Sequence, residues 1–152
     1  MKKTGTFLLF IVIAFLPSLS AVAVKTGSWY MALNKPVWNP PSYLFGPVWT
    51  TLYFLIGLAG YFAWTHGHRE DRRAVFTVYA AQLLLNALWS PLFFGLHRPD
   101  WALVSLVMLW FMILLCIGLF SQRSRPAAWL MLPYFLWVSF AGALNATILV
   151  IN

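Results

Sequence analysis

Long apolar stretches separated by short polar ones dominate this chain. Runs over 7–24, 47–64, 74–94, 101–120 and 127–151 contain no Asp, Glu, Lys or Arg, and each is at least 18 residues long. A helix of that length crosses the roughly 30 Å of hydrocarbon in a bilayer, and in lipid only a helix or a closed barrel satisfies its own backbone. The pattern predicts an all-α membrane protein, one domain over 1–152 built as a five-transmembrane-helix bundle, with helices at about 5–24, 44–65, 74–95, 101–121 and 127–151. The connection at 25–43 is the longest and reads as a lid. No internal repeat is evident, and an odd number of spans does not divide into two inverted halves.

The polar breaks are informative in themselves. The first gathers Trp29, Tyr30 and Trp38 with Pro36, Pro40, Pro41 and Lys35, a stiff, ring-lined segment suited to covering a flat apolar surface. Pro126 falls where the first turn of a helix accepts proline, and Pro47 sits near the start of the second helix. Pro17, Pro91 and Pro133 fall inside or near the ends of spans and should kink or terminate them. Trp29, Trp38, Trp49, Trp64, Trp101 and Trp129 lie near the expected membrane boundaries, where an interfacial belt accounts for most of them. Trp89, Trp110 and Trp137 lie deeper, and their indole N–H groups favour protein or a cavity over lipid.

Composition removes the soluble alternatives: 62% of the 152 residues are hydrophobic and 9% charged. If the spans alternate, Lys2, Lys3, Arg69, Arg72, Arg73, Arg123 and Arg125 share one side and Lys25, Lys35 and Arg98 the other. That asymmetry predicts a multi-pass protein with its N-terminus in the cytoplasm and the first loop and C-terminus outside, and helical spans favour an inner membrane if the chain is bacterial. The net charge of +7 then reads as a topology signal and anionic-lipid contact; no basic stripe on one element suggests nucleic acid. An alternative for the start is a cleavable secretory signal ending at Ala21-Val22-Ala23, although Pro17 and the length of the apolar run count against it. The single Cys116 lies mid-span, and a buried thiol there is inert.

Candidate chemistry is neutral. The acids Glu70, Asp71 and Asp100 lie in connections, which argues against a carboxylate relay or a paired-carboxylate hydrolase. His66, His68 and His97 have no metal-site spacing, so no metal is expected. Within the spans, Gln82, Asn86, Trp89, Ser90 and Phe93 follow one side of the third helix. Tyr134, Trp137, Ala141 and Asn145 follow one side of the fifth, and Trp49, Tyr53, Gly57 and Gly60 one side of the second. Two readings of Gln82, Asn86 and Asn145 stand. Amides are ordinary interhelical adhesive, worth roughly 0.6 kcal/mol per bond; equally, amides among indoles and phenols furnish a pocket for an apolar aromatic ligand.

The chain resembles the translocator protein family of bacterial tryptophan-rich sensory proteins and peripheral benzodiazepine receptors. The resemblance rests on Trp29-Tyr30-x-x-Leu33-x-Lys35-Pro36-x-Trp38-x-Pro40-Pro41, Phe45-Gly46-Pro47-Val48-Trp49-Thr50-x-Leu52-Tyr53, Gln82-Leu83-x-Leu85-Asn86-x-x-Trp89-Ser90-x-x-Phe93-Phe94 and Pro133-Tyr134-x-x-Trp137-x-x-Phe140-Ala141-x-x-Leu144-Asn145. It implies a five-helix bundle, usually a homodimer, with a pocket opening toward the first loop. It also implies a tetrapyrrole ligand (protoporphyrin IX or haem), no required cofactor, and a retained first helix. Tyr30, Trp49, Asn86, Trp89, Trp137, Ala141 and Asn145 would line or close that pocket; Trp38, Tyr53, Gln82, Phe93 and Tyr134 complete the candidate set. Trp49 and Trp137 match the pair tied to light-dependent porphyrin breakdown, and would be catalytic only in a porphyrin-degrading enzyme. The Tyr and Arg of the family's animal sterol motif are absent from Ala146–Asn152, which puts sterol binding in doubt. The functions left open are a tetrapyrrole receptor or carrier with a sensory role, a light-dependent degrading enzyme, and a purely structural partner protein.

Overall fold

The computed structural model describes residues 3–24, 27–66 and 72–152. Lys2, Lys25, His68, Arg69, Glu70 and Asp71, which enter the charge reading, lie outside the described residues. Among the described residues five helices are long and apolar enough to cross a membrane. They are α1 (Lys3–Ala23), α3 (Ser42–His66), α4 (Arg72–Ser90), α5 (Pro99–Ser121) and α6 (Arg125–Ile151). A short helix unforeseen in the sequence, α2 (Ser28–Ala32), stands inside the lid. The chain is an integral, multi-pass membrane protein. Around the bundle α1 packs on α3 and α4, α3 on α6, α6 on α5 and α5 on α4, closing a ring.

The prolines act in different ways. Pro99 and Pro126 occupy first turns, where the missing N–H has no helical partner to lose. Pro17 and Pro133 are absorbed within α1 and α6. At Pro91 the helix widens instead of ending. A π-helical turn runs over Pro91–Gly95, and the Leu96 N–H reaches the Pro91 carbonyl at 2.8 Å. His97 follows with φ of 54°, a left-handed conformation unusual for a side-chain-bearing residue, and turns the chain into α5.

At one end the bundle is solid. A Cβ on Gly57 would lie 3.0 Å from the Ile11 Cα, and one on Gly60 would lie 2.7 Å from the Phe10 ring and 2.9 Å from the Tyr79 ring. The bare backbone of α3 therefore lets α1 and α4 close in. Phe10, Trp64, Phe76, Tyr79 and Phe120 fill this end with rings whose centroids are 5.0–6.3 Å apart. Two guanidinium groups seal the C-terminus of α3. Arg72 Nη2 donates to the Trp64 carbonyl and Arg123 Nε to the Ala63 carbonyl, each at 2.9 Å, with Arg72 also lying over the Trp64 ring at 4.3 Å. Cations are favourable there because the last carbonyls of a helix lack partners and carry partial negative charge.

Midway, a buried polar layer ties three helices together. Tyr53 donates to Asn86 Oδ1 at 2.9 Å, and Asn86 Nδ2 donates to the Tyr134 hydroxyl at 3.0 Å. Each group satisfies another where lipid and apolar side chains offer nothing.

Candidate functional site

Above the polar layer the helices diverge and enclose a hollow. It consists of two adjoining chambers of about 290 and about 410 Å³ that share Trp49, Trp89, Trp137 and Ala141. The helical repeat builds the walls. α3 contributes Phe45, Trp49 and Tyr53; α4 contributes Asn86, Trp89 and Ser90, and the π-helical turn after it Phe93; α6 contributes Trp137, Ala141, Asn145 and Ile148. Residues three and four apart on one helix fall on the same face, so each helix turns one stripe inward.

The sequence-derived candidates divide into two groups. Tyr30, Trp49, Trp89, Phe93, Trp137, Ala141 and Asn145 line the chamber beneath the lid; Tyr53 and Asn86 join Trp49, Trp89, Trp137 and Ala141 around the deeper one. Three candidates stand off the wall. Tyr134 is fully buried behind Trp49, ring centroids 6.2 Å apart, and holds Asn86. Gln82 is fully buried a turn below Asn86, and neither of its amide atoms has a hydrogen-bond partner among the described residues. Trp38 is 45% exposed on the lid, its ring edge against Phe140 at 5.8 Å.

Sequence reasoning put Ser90 on the inward stripe without naming it as a site residue, and left out Phe45, Phe94, Phe140, Leu144 and Ile148, and all of α1. Continuing the α6 stripe from Trp137 and Ala141 through Leu144 to Ile148 would have found part of this set. Ser18, Ala21 and Val22 of α1 also border the hollow, and nothing in their pattern marks them.

Hydrogen bonding sorts the tryptophans. Trp89 donates its indole N–H to Asn145 Oδ1 at 3.1 Å, and Asn145 Nδ2 donates to the Pro99 carbonyl at 2.8 Å. Trp110, remote from the hollow, donates to Ser139 Oγ at 2.8 Å. The two satisfied indoles are structural ties. Trp49 and Trp137 line the hollow, and their indole N–H groups have no hydrogen-bond acceptor among the described residues.

The lid is fastened to the bundle at several points. Trp29 stacks on His97 at 4.5 Å with an interplanar angle of 20°, and Tyr30 sets its ring edgewise to Phe94 at 5.2 Å and to Phe93 at 6.1 Å. Asn34 and Asn152 form a reciprocal pair: the Asn34 N–H donates to Asn152 Oδ1 at 2.9 Å, and Asn152 Nδ2 donates to the Asn34 carbonyl at 3.0 Å. Lys35 lies over the Tyr30 ring at 4.6 Å and donates to the Leu33 carbonyl at 2.9 Å. Partial burial raises the Tyr30 phenol above its ordinary range, opposed by a hydrogen bond with the Asn39 side chain, so Tyr30 stays a neutral cover.

Among the described residues no charged side chain lines either chamber. Among the described residues no three His, Cys, Asp or Glu side chains converge. The hollow offers flat rings, two uncommitted indole donors and a few hydroxyl and amide groups. That composition suits a planar apolar body whose charged substituents remain at the rim.

Comparison with known proteins matches residues 6–151 to the TspO/MBR family. The "Tryptophan-rich protein TspO" of Archaeoglobus fulgidus is 42% identical over 153 residues, covering 100% of this chain and 97% of that protein. The "Tryptophan-rich sensory protein" of Cereibacter sphaeroides is 37% identical over 91% of this chain and 86% of its own length. The "Translocator protein" of Bos taurus is 41% identical over 77% of this chain and 70% of its own length.

Proposed function

The chain belongs to the TspO/MBR family, and from that membership and the geometry above we propose that it binds a tetrapyrrole, protoporphyrin IX or haem, in the aromatic hollow as a membrane receptor or carrier with a sensory role. The observation that carries the reading is the pair Trp49 and Trp137. Both wall the two chambers, and neither indole N–H has a hydrogen-bond acceptor among the described residues, whereas Trp89 donates its own to Asn145. A macrocycle stacked on these rings gains about 0.5–1.5 kcal/mol per ring pair beyond the burial of its apolar surface. Its carboxylates remain at the rim, on the side of Lys35. We further propose the orientation that the basic residues favour, N-terminus in the cytoplasm and lid outside, in a bacterial inner membrane.

Titration with protoporphyrin IX while following tryptophan fluorescence tests the site. Saturable quenching is expected in the unmodified protein, with affinity about tenfold or more weaker in the Trp49→Phe, Trp137→Phe double variant. Equal affinity in that variant excludes the mechanism.

A second reading, light-dependent porphyrin degradation, draws on the stack of Trp49 on Tyr53 at 5.3 Å, which places an oxidisable phenol beside the indole. The bound pigment would supply the excited state and dioxygen the oxidant. Illumination with and without oxygen tests it; products indistinguishable from those of free porphyrin rule it out.

A further inference from the structure

The lid is the obvious way into the hollow, yet it is the better fastened boundary. Its rings and the Asn34–Asn152 pair attach it to the π-helical turn after α4, to α6 and to the turn before α5. The weak boundary is lateral. Among the described residues, every exposed one that borders the hollow belongs to α1 or α3: Ala21, Val22, Ser42, Gly46 and Thr50. α4, α5 and α6 contribute only buried or half-buried residues to the same walls.

The glycines of α3 show how the gap arises. At Gly57 and Gly60, α1 presses against bare backbone, with contacts to an added Cβ at 2.7–3.1 Å. At Gly46, toward the lid end of the same helix, nothing lies within 4 Å. Meanwhile the end of α1 leans the other way, Val24 lying 3.7 Å from where a Cβ on Gly95 would be. α1 and α3 thus part like a wedge whose apex is the Gly57–Gly60 contact and whose mouth lies beside Trp49. The mouth is edged by Val22 at 81% exposure, and Leu19 at 64% stands on the same outer part of α1. These positions lie in membrane-spanning helices, so the medium they meet is acyl chain.

We propose that ligand exchanges between the bilayer and the hollow sideways, through the gap between α1 and α3, while the lid stays shut. The ligand class is a flat, predominantly apolar molecule that partitions into lipid. Its identity as a tetrapyrrole rests on the reading above; the gap does not. The physical advantage is that such a molecule passes from one apolar phase to another without crossing water, and the lid rings keep their contacts.

Two measurements on the full-length protein in vesicles test the route. In the first, lipids brominated on the acyl chains near the headgroup quench the tryptophans they touch, and the Trp49 share is the difference between the unmodified protein and Trp49→Phe. That share should be quenched in the unmodified protein and protected in Gly46→Phe, where open space receives the ring. Thr50→Phe, on the same edge, is a second plug should Gly46→Phe fold poorly, and Gly46→Ala is the unplugged control. No quenching of the Trp49 share in the unmodified protein overturns the proposal.

In the second, protoporphyrin IX is delivered from preloaded vesicles. Uptake and release should both slow about tenfold in the plugged variants and stay unchanged in Asn152→Ala, which frees the lid clasp. Faster exchange in Asn152→Ala, with no slowing in the plugged variants, assigns the route to the lid and overturns the proposal. If the unmodified protein takes up no porphyrin, the tetrapyrrole reading falls, and the bromolipid result still decides the gap.

Discussion

At Gly60 of α3 a neighbouring ring lies 2.7 Å from where a side chain would begin, while at Gly46 of the same helix nothing lies within 4 Å. Both ends of the bundle are rich in aromatics. At the Gly60 end Phe10, Trp64, Phe76, Tyr79 and Phe120 pack into each other and into glycine backbone. At the Gly46 end Trp49, Trp89 and Trp137 stand around empty volume. The difference lies in what faces the rings. Where α1 follows α3 closely the rings interdigitate into a core; where α1 leans toward Gly95 the rings become walls. Ring content alone does not make a site; the direction of one neighbouring helix decides it.

The comparison can be broken at its tight end first. Gly57→Leu should destabilise the bundle by about 1–3 kcal/mol, because the new side chain meets not only the Ile11 Cδ1 tip but also the Ile11 Cα and the Phe10 carbonyl, which cannot move aside. Thermal unfolding in detergent reads this, and an unchanged midpoint refutes the tight contact.

The boundary between solid and hollow halves is the polar layer. Asn86→Ala strands two buried phenols, since Tyr53 loses its acceptor and Tyr134 its donor. A cost of about 1–2 kcal/mol is expected, between the membrane average per bond and the penalty for unpaired buried groups. The variant should also bind porphyrin more weakly, because the floor of the deeper chamber is gone. Full stability in Asn86→Ala contradicts the layer's role.

The tryptophans sharpen the contrast. Trp89→Phe removes the bond to Asn145 and should cost about 0.6 kcal/mol. Trp49→Phe removes no protein hydrogen bond and should cost less than that, while weakening porphyrin binding more than Trp89→Phe does. If the stability order of the two variants is reversed, the division into structural ties and ligand walls fails.

The smallest effect belongs to the open end. Gly46→Ala should be neutral or stabilising by up to about 0.5–1 kcal/mol, since alanine favours the helix and the position is uncrowded. A loss comparable with that of Gly57→Leu would mean that α1 and α3 do not part.

Much of the architecture was legible in the amino-acid order. Uncharged runs longer than a bilayer is thick compel helices, and their number and approximate limits follow from where charges and prolines fall. Trp49, Asn86, Trp89, Trp137, Ala141 and Asn145 were readable as inward stripes because helical geometry fixes which residues share a face. Tertiary packing alone decided which inward residues meet space and which meet one another. Gln82 and Tyr134 lie on the same stripes as the wall residues yet are buried in protein, and Trp38 remains on the lid surface. Ala21 and Val22 border the hollow only because α1 tilts away from α3. A helix's own sequence sets the direction of its side chains, but the distance to the next helix depends on small residues and contacts supplied by other segments.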